Sequence, residues 1–170
     1  MKILATFDGT PFSEATVPIL QRMANNPASE FVLLAVAHEP SGKLQHRGVK
    51  RRITVPTDAF ANANPITIDK GEPKFAETKD QAFDRARHEL EYYLEEIARR
   101  IGGANISIEA HISDEAAKTI IDIATEEQPD VIVMATRSRT GISHLLFGST
   151  TEKVVRSSVA PVLVVHPKDG

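Results

Sequence analysis

Apolar positions follow two rhythms along the chain, and the switches between them mark its elements. In Lys2–Phe7, in residues 31–37 (FVLLAVA) and in residues 131–135 (VIVMA) almost every position is apolar. That is the pattern of strands covered on both faces, as in parallel sheets flanked by helices. Residues 106–112 (ISIEAHI) instead alternate strictly, which predicts a strand nearer a sheet edge with one covered and one wetter face. Residues 162–165 (VLVV), introduced by Pro161, form a last short strand.

Between these runs the apolar period lengthens to three and four. Ala15, Ile19, Leu20, Met23 and Ala24 make one stripe after a cap at Ser13; Asn25-Asn26-Pro27 stops it, and Pro18 is expected to bend or delay the helix. Thr78 and Gln81 are spaced as a capping box ahead of Phe83, Ala86, Leu90, Tyr93, Leu94, Ile97 and Ile101, and Gly102-Gly103 ends that helix. Ser113 or Asp114 caps a third helix carrying Ala117, Ile120, Ile121 and Ala124. Ser149 and Glu152 are again spaced as a capping box, so a fourth helix begins right after Gly148 and turns Val154 and Val155 inward. Residues 39–76 keep no period and hold Pro40, Pro56, Pro65 and Pro73, and are read as a long irregular connection. Five strands alternating with four helices imply an α/β fold with a parallel sheet.

Composition narrows the chemistry more than the fold. The 170 residues fit a single domain spanning 1–170, and a 41% hydrophobic share is that of a globular chain. There is no cysteine, so disulfides, thiolate metal sites and a cysteine nucleophile are excluded. No apolar run approaches the ~18 residues of a membrane span, and no basic flank with a cleavable apolar stretch precedes the first strand, so a cytoplasmic location is expected. A net charge of -3 gives no overall field toward nucleic acid or anionic membrane. Any anion must therefore be held by a local arrangement.

Two strand ends carry polar residues suited to a ligand. The first runs into Asp8-Gly9-Thr10-Pro11, with Thr6 just before it. The fourth runs into Ala135-Thr136-Arg137-Ser138-Arg139 and closes on Gly148-Ser149-Thr150 at a helix start, where free N–H groups, the helix dipole and small hydroxyls favour a phosphate. Arg137 and Arg139 are the only formal charges between residues 131 and 151. On spacing alone the stretch also reads as an exposed loop before a capped helix. Neither GxxxxGK(S/T) nor GxGxxG after a strand occurs, which argues against a P-loop or dinucleotide site. No GxSxG elbow supports a serine hydrolase, and the six histidines form no HxxxH or HxH pair for a metal. The acid-free stretch 41–56, with Lys43, Arg47, Lys50, Arg51 and Arg52, reads as a solvated loop or as a contact for an acidic or phosphate-bearing partner.

The segments KILATFDGTPFSEAT and DVIVMATRSRTGISHLLFGSTTEKVVRSSVAPVLVV resemble the universal stress protein (UspA) family over essentially the whole chain, the 39–76 insertion apart. The resemblance implies a three-layer, Rossmann-like sandwich of the adenine nucleotide alpha hydrolase type, with five parallel strands in the order 3-2-1-4-5. It implies an adenine-nucleotide-binding regulatory module, for ATP or AMP with or without Mg2+, and no catalytic residue. It also implies a homodimer in which strand 162–165 pairs with its copy.

The glycine signature of the family's ATP-binding branch falls on Ala135, Ser138, Gly148 and Ser149, so two of its three glycines are replaced. By the same resemblance Asp8 meets the ribose or adenine side, Thr6, Val36 and Ala37 flank the adenine, and Met134 lines the base pocket. Residues 135–138, including Arg137, and 148–150, including Thr150, wrap ribose and phosphates. A non-nucleotide-binding interaction dimer and a slow ATPase using Asp8 stand as the alternatives.

Overall fold

The computed structural model describes residues 1–38, 47–53, 79–103, 105–136 and 147–167, with the backbone path alone for 47–53 and 79. Strands β1 (Lys2–Phe7), β2 (Glu30–Ala37), β3 (Arg47–Ile53), β4 (Ile106–Ile112), β5 (Val131–Ala135) and β6 (Val162–Val165) form one sheet in the order β3-β4-β2-β1-β5-β6. Five of them are parallel, and in their own sequence order they give the expected 3-2-1-4-5. The sixth, β3, is antiparallel to β4 and closes one edge. It lies inside the stretch read as irregular, where four charges in seven residues hid it: an edge strand needs only one covered side and tolerates them.

Alternate side chains of the sheet enter two cores. Ile3, Phe7, Phe31, Leu33, Ile106, Ile108 and Val133 meet helices α1 (Val17–Ala24) and α2 (Lys79–Ile101) through Leu20, Leu90, Leu94 and Ile97. Leu4, Val32, Leu34, Ile132 and Met134 meet α3 (Ala116–Glu127) and α4 (Ser149–Ser157) through Ile120, Ile123, Ala124 and Val154. Both faces of β1, β2 and β5 are therefore covered, as their unbroken apolar runs require. In β4 the polar side of the alternation is also buried: Glu109 is only 3% exposed, with its carboxylate 3.3 Å from His111 Nε2. The wetter face expected there is largely covered, since Ser107 is buried as well and His111 keeps partial exposure; β3 pairs outside β4, with Lys50 at the register position of Glu109.

Pro18 delays the first helix as its position suggests. A 3-10 turn, Ser13–Thr16, precedes α1, and Pro18 falls at its second residue, where a missing N–H costs nothing. Ser13 does not cap α1; its hydroxyl donates to the Thr10 carbonyl at 2.7 Å. Neither Ser113 nor Asp114 is the N-cap of α3, which is Glu115; Ser113 sits two residues ahead of that cap, accepting the Glu115 N–H at 3.0 Å and the Thr119 hydroxyl at 3.1 Å. Thr78, proposed to cap α2, lies outside the described residues.

Candidate functional site

From β1 the chain winds outward through β2 to β4, and from β5 it winds the other way to β6. The reversal leaves a crevice at the carboxyl ends of β1 and β5, the place where open α/β sheets bind ligands. A cavity of about 550 Å³ occupies it. Thr6, Asp8, Val36, Ala37, Met134, Ala135, Gly148, Ser149 and Thr150 all line this one cavity. Arg137 and Ser138 lie outside the described residues.

The lining divides by chemistry. Val36, Met134, Ala116 and Ile120 give one apolar wall, built from the ends of β2 and β5 and the start of α3. Opposite it, the turn after β1 offers Asp8, Thr10 and Ser13. Gly9 adopts φ +74°, a conformation open to glycine at little cost. It folds the turn back so that the Thr10 N–H and hydroxyl both donate to Asp8 Oδ1, at 3.0 and 2.6 Å. Beneath the turn, Ser13 Oγ lies 3.4 Å from the Tyr93 hydroxyl of α2. Tyr93 is held above its ordinary pKa, chiefly by burial, with the Ser13 hydrogen bond acting the other way and the Glu14 and Asp8 charges reinforcing the rise.

The third side is the N-terminus of α4. The helix does begin right after Gly148, but the capping box does not form: Gly148 is the N-cap, Ser149 is already helical, and no side chain among the described residues caps the first turn. Glu152 pairs with Arg156 at 2.9 Å instead of reaching back. The N–H groups of Ser149, Thr150 and Thr151 thus have no acceptor within their own helix, at the positive end of its dipole, on the cavity wall. Gly148 has an ordinary extended conformation, φ -66° and ψ 159°, and a Cβ built on it would meet nothing within 4 Å. Neither its backbone conformation nor packing among the described residues demands glycine there. Its missing side chain keeps the approach to the helix end clear.

Ala135 is the last residue of β5, paired with Val165, and its φ is not positive. The left-handed geometry that would penalise alanine at that signature position is not required in this fold. Thr136, which spacing did not single out, is 1% exposed and accepts the Gly148 N–H at 3.2 Å. Ile120 was legible only as part of a helix stripe, because spacing cannot separate a core residue from one lining a cavity, and Ala116 was not singled out. His38, Phe12, Phe7 and Thr151 complete the lining, with no signal in the sequence beyond their nearness to strand and helix ends.

Such a site suits an elongated ligand with a flat apolar part, hydroxyls for Asp8 and an anionic end for α4. Among the described residues no group of three or more His, Asp or Glu could hold a metal ion, and no helix is long and apolar enough to cross a membrane.

Comparison with known proteins agrees in fold and family. Universal stress protein MJ0577 of Methanocaldococcus jannaschii is 27% identical over 99% of this chain and 96% of its own length. A solved structure of hypothetical protein MJ0577 aligns with a TM-score of 0.62 at 23% identity, covering 99% of this chain and 97% of that one. A universal stress protein solved in complex with cAMP aligns with a TM-score of 0.60 at 14% identity, covering 99% and 98%. The universal stress protein from Archaeoglobus fulgidus, solved in complex with dAMP, aligns at 0.51 and 15% identity, covering 96% and 94%. The Universal stress protein family matches residues 1–166, and the chain belongs to that family.

Proposed function

We propose that the protein binds an adenine nucleotide, ATP or AMP, in the cavity between β1 and β5, as a regulatory module of the stress response with no reaction of its own. One observation carries the reading: the first turn of α4, uncapped among the described residues and behind a Gly148 that none of them requires, opens on the same cavity as Asp8 and an apolar wall. Two proteins of the same fold are solved with adenine monophosphates, cAMP and dAMP, which supports an adenine ligand. In this reading Val36, Ala37, Thr6 and Met134 flank the base and Asp8 accepts from the ribose. Gly148, Ser149 and Thr150, with Ala135, Arg137 and Ser138, take the phosphates. A nucleotide-borne Mg2+ would find Asp8 as the one carboxylate among the described cavity residues.

The proposed working unit is a cytoplasmic homodimer paired through β6. Its support is the sheet edge itself: β6 pairs with β5 alone among the described strands, Leu163 is 37% exposed on it, and Val159 beside it is 59% exposed. An exposed apolar edge is a standing template for strand addition. The replaced glycines favour a second reading, a dimer that recruits other proteins and leaves the cavity without nucleotide. Mass spectrometry of ligand released from the purified protein separates the two. Co-purified AMP or ATP supports nucleotide binding, and its absence combined with no heat on ATP titration supports the interaction module.

A further inference from the structure

Thr136 joins the phosphate end of the cavity to the edge strand. Its backbone N–H donates to the Val165 carbonyl at the end of β6, at 3.0 Å. Its hydroxyl accepts the N–H of Gly148, the N-cap of α4, at 3.2 Å. Thr136 itself is 1% exposed, so its N–H and hydroxyl have little access to water in place of these partners. A second, separate contact spans the same gap. Phe147, the residue before the N-cap, stacks on His166, the residue after β6, with ring centroids 6.4 Å apart and planes inclined by 27°. The corner 147–148 is thus held twice, by Thr136, the residue after β5, and by His166, the residue after β6.

We propose that Thr136 is a positioning residue that couples ligand occupancy at the α4 N-terminus to pairing along β6. This inference rests on the reading above, with ATP in the cavity and a second copy on β6. An anion bound to the first-turn N–H groups fixes the Gly148 corner. Through the Thr136 hydroxyl and the Phe147–His166 stack, the fixed corner orders the end of β6, so a strand added to that edge loses less freedom on pairing. Coupling of this kind is reciprocal, so pairing must raise ATP affinity by the same factor.

The test is the monomer–dimer dissociation constant from sedimentation equilibrium, with and without saturating ATP, and calorimetry of ATP on the same samples. For the natural protein ATP should tighten the dimer about fivefold or more. Thr136→Val, which keeps shape and removes the hydroxyl, should still dimerise and, at an ATP concentration that saturates the variant, show no shift in the dimer constant; Thr136→Ser should restore it. If Thr136→Val does not fold, His166→Ala at the exposed side of the stack should reduce the shift. ATP heat without any change in the dimer constant overturns the coupling and leaves nucleotide binding standing. A shift of full size in Thr136→Val overturns the role of Thr136. Absence of ATP heat overturns the underlying reading and the coupling with it.

Discussion

Both donors of Thr10 converge on one carboxylate oxygen of Asp8, the amide at 3.0 Å and the hydroxyl at 2.6 Å. The turn that brings them together depends on Gly9 at φ +74°, where a Cβ would strike nothing yet a side chain would be strained by its own backbone. Gly9→Ala should therefore cost about 1–2 kcal/mol, a drop of about 2–8 °C in Tm at this chain length. Loosening of Asp8 should weaken ATP binding at the same time. An unchanged Tm would mean that the turn does not need the left-handed conformation.

Gly148 gives the opposite expectation. Its conformation is ordinary and its surroundings among the described residues are open, so Gly148→Ala should change stability by less than about 1 kcal/mol. The added methyl would stand between an anion and the α4 amides, so ATP affinity should fall about tenfold, or ~1.4 kcal/mol. Thermal melts and ATP titration of the same variant check both halves. A large loss of stability with affinity intact would reverse the assignment.

Of the two altered signature positions, Ala135 is the one among the described residues. Ala135 sits in the β5 ladder without a positive φ, so Ala135→Gly should lower stability by about 0.5–1 kcal/mol through chain entropy. It should return less than a threefold gain in ATP affinity, since no strain is relieved. A gain of tenfold or more in calorimetry would show that the methyl itself obstructs the ligand.

Much of this was readable from the residues, and the failures have physical causes. Two-face apolar runs located β1, β2 and β5 because burial on both sides leaves no room for polar positions. The turn after β1 and the helix start at Gly148 were legible because glycine and hydroxyl residues have few uses at strand and helix ends. Strand β3 was not, since Arg47, Lys50, Arg51 and Arg52 leave no apolar period in its sequence. The Ser149–Glu152 spacing fitted a capping box, yet the chain enters α4 one residue earlier and leaves the amides uncapped. Thr136 was invisible for another reason: its importance lies in two bonds to residues 12 and 29 positions away in sequence.

The edge strand can be probed without harming the core. A charge at Val164 would enter the cluster beneath α3 and α4, against which Val164 packs, and would confuse unfolding with dissociation. Leu163 points to the other, exposed side. Leu163→Asp should yield a monomer in sedimentation with circular dichroism unchanged. A dimer of natural mass would move the interface away from β6.

Tyr93 provides a pH signature for the packing under the Asp8 turn. Burial, above all, keeps the phenol protonated in the folded state beyond its ordinary 10.0. Above about pH 10 the unfolded chain has released this proton while the folded chain still holds it, so stability falls as pH rises through that range. Tyr93→Phe should flatten the alkaline limb of the stability curve and cost about 0.5–1.5 kcal/mol at neutral pH. Identical alkaline slopes in both proteins would exclude Tyr93 as the source.

The central claim is that the β1–β5 cavity holds an adenine nucleotide, and isothermal titration of the purified, ligand-stripped protein with ATP tests it most directly. The account predicts saturable heat with one site per chain, weakened about tenfold in Gly148→Ala. No heat at millimolar ATP, from protein shown to be folded, would contradict it.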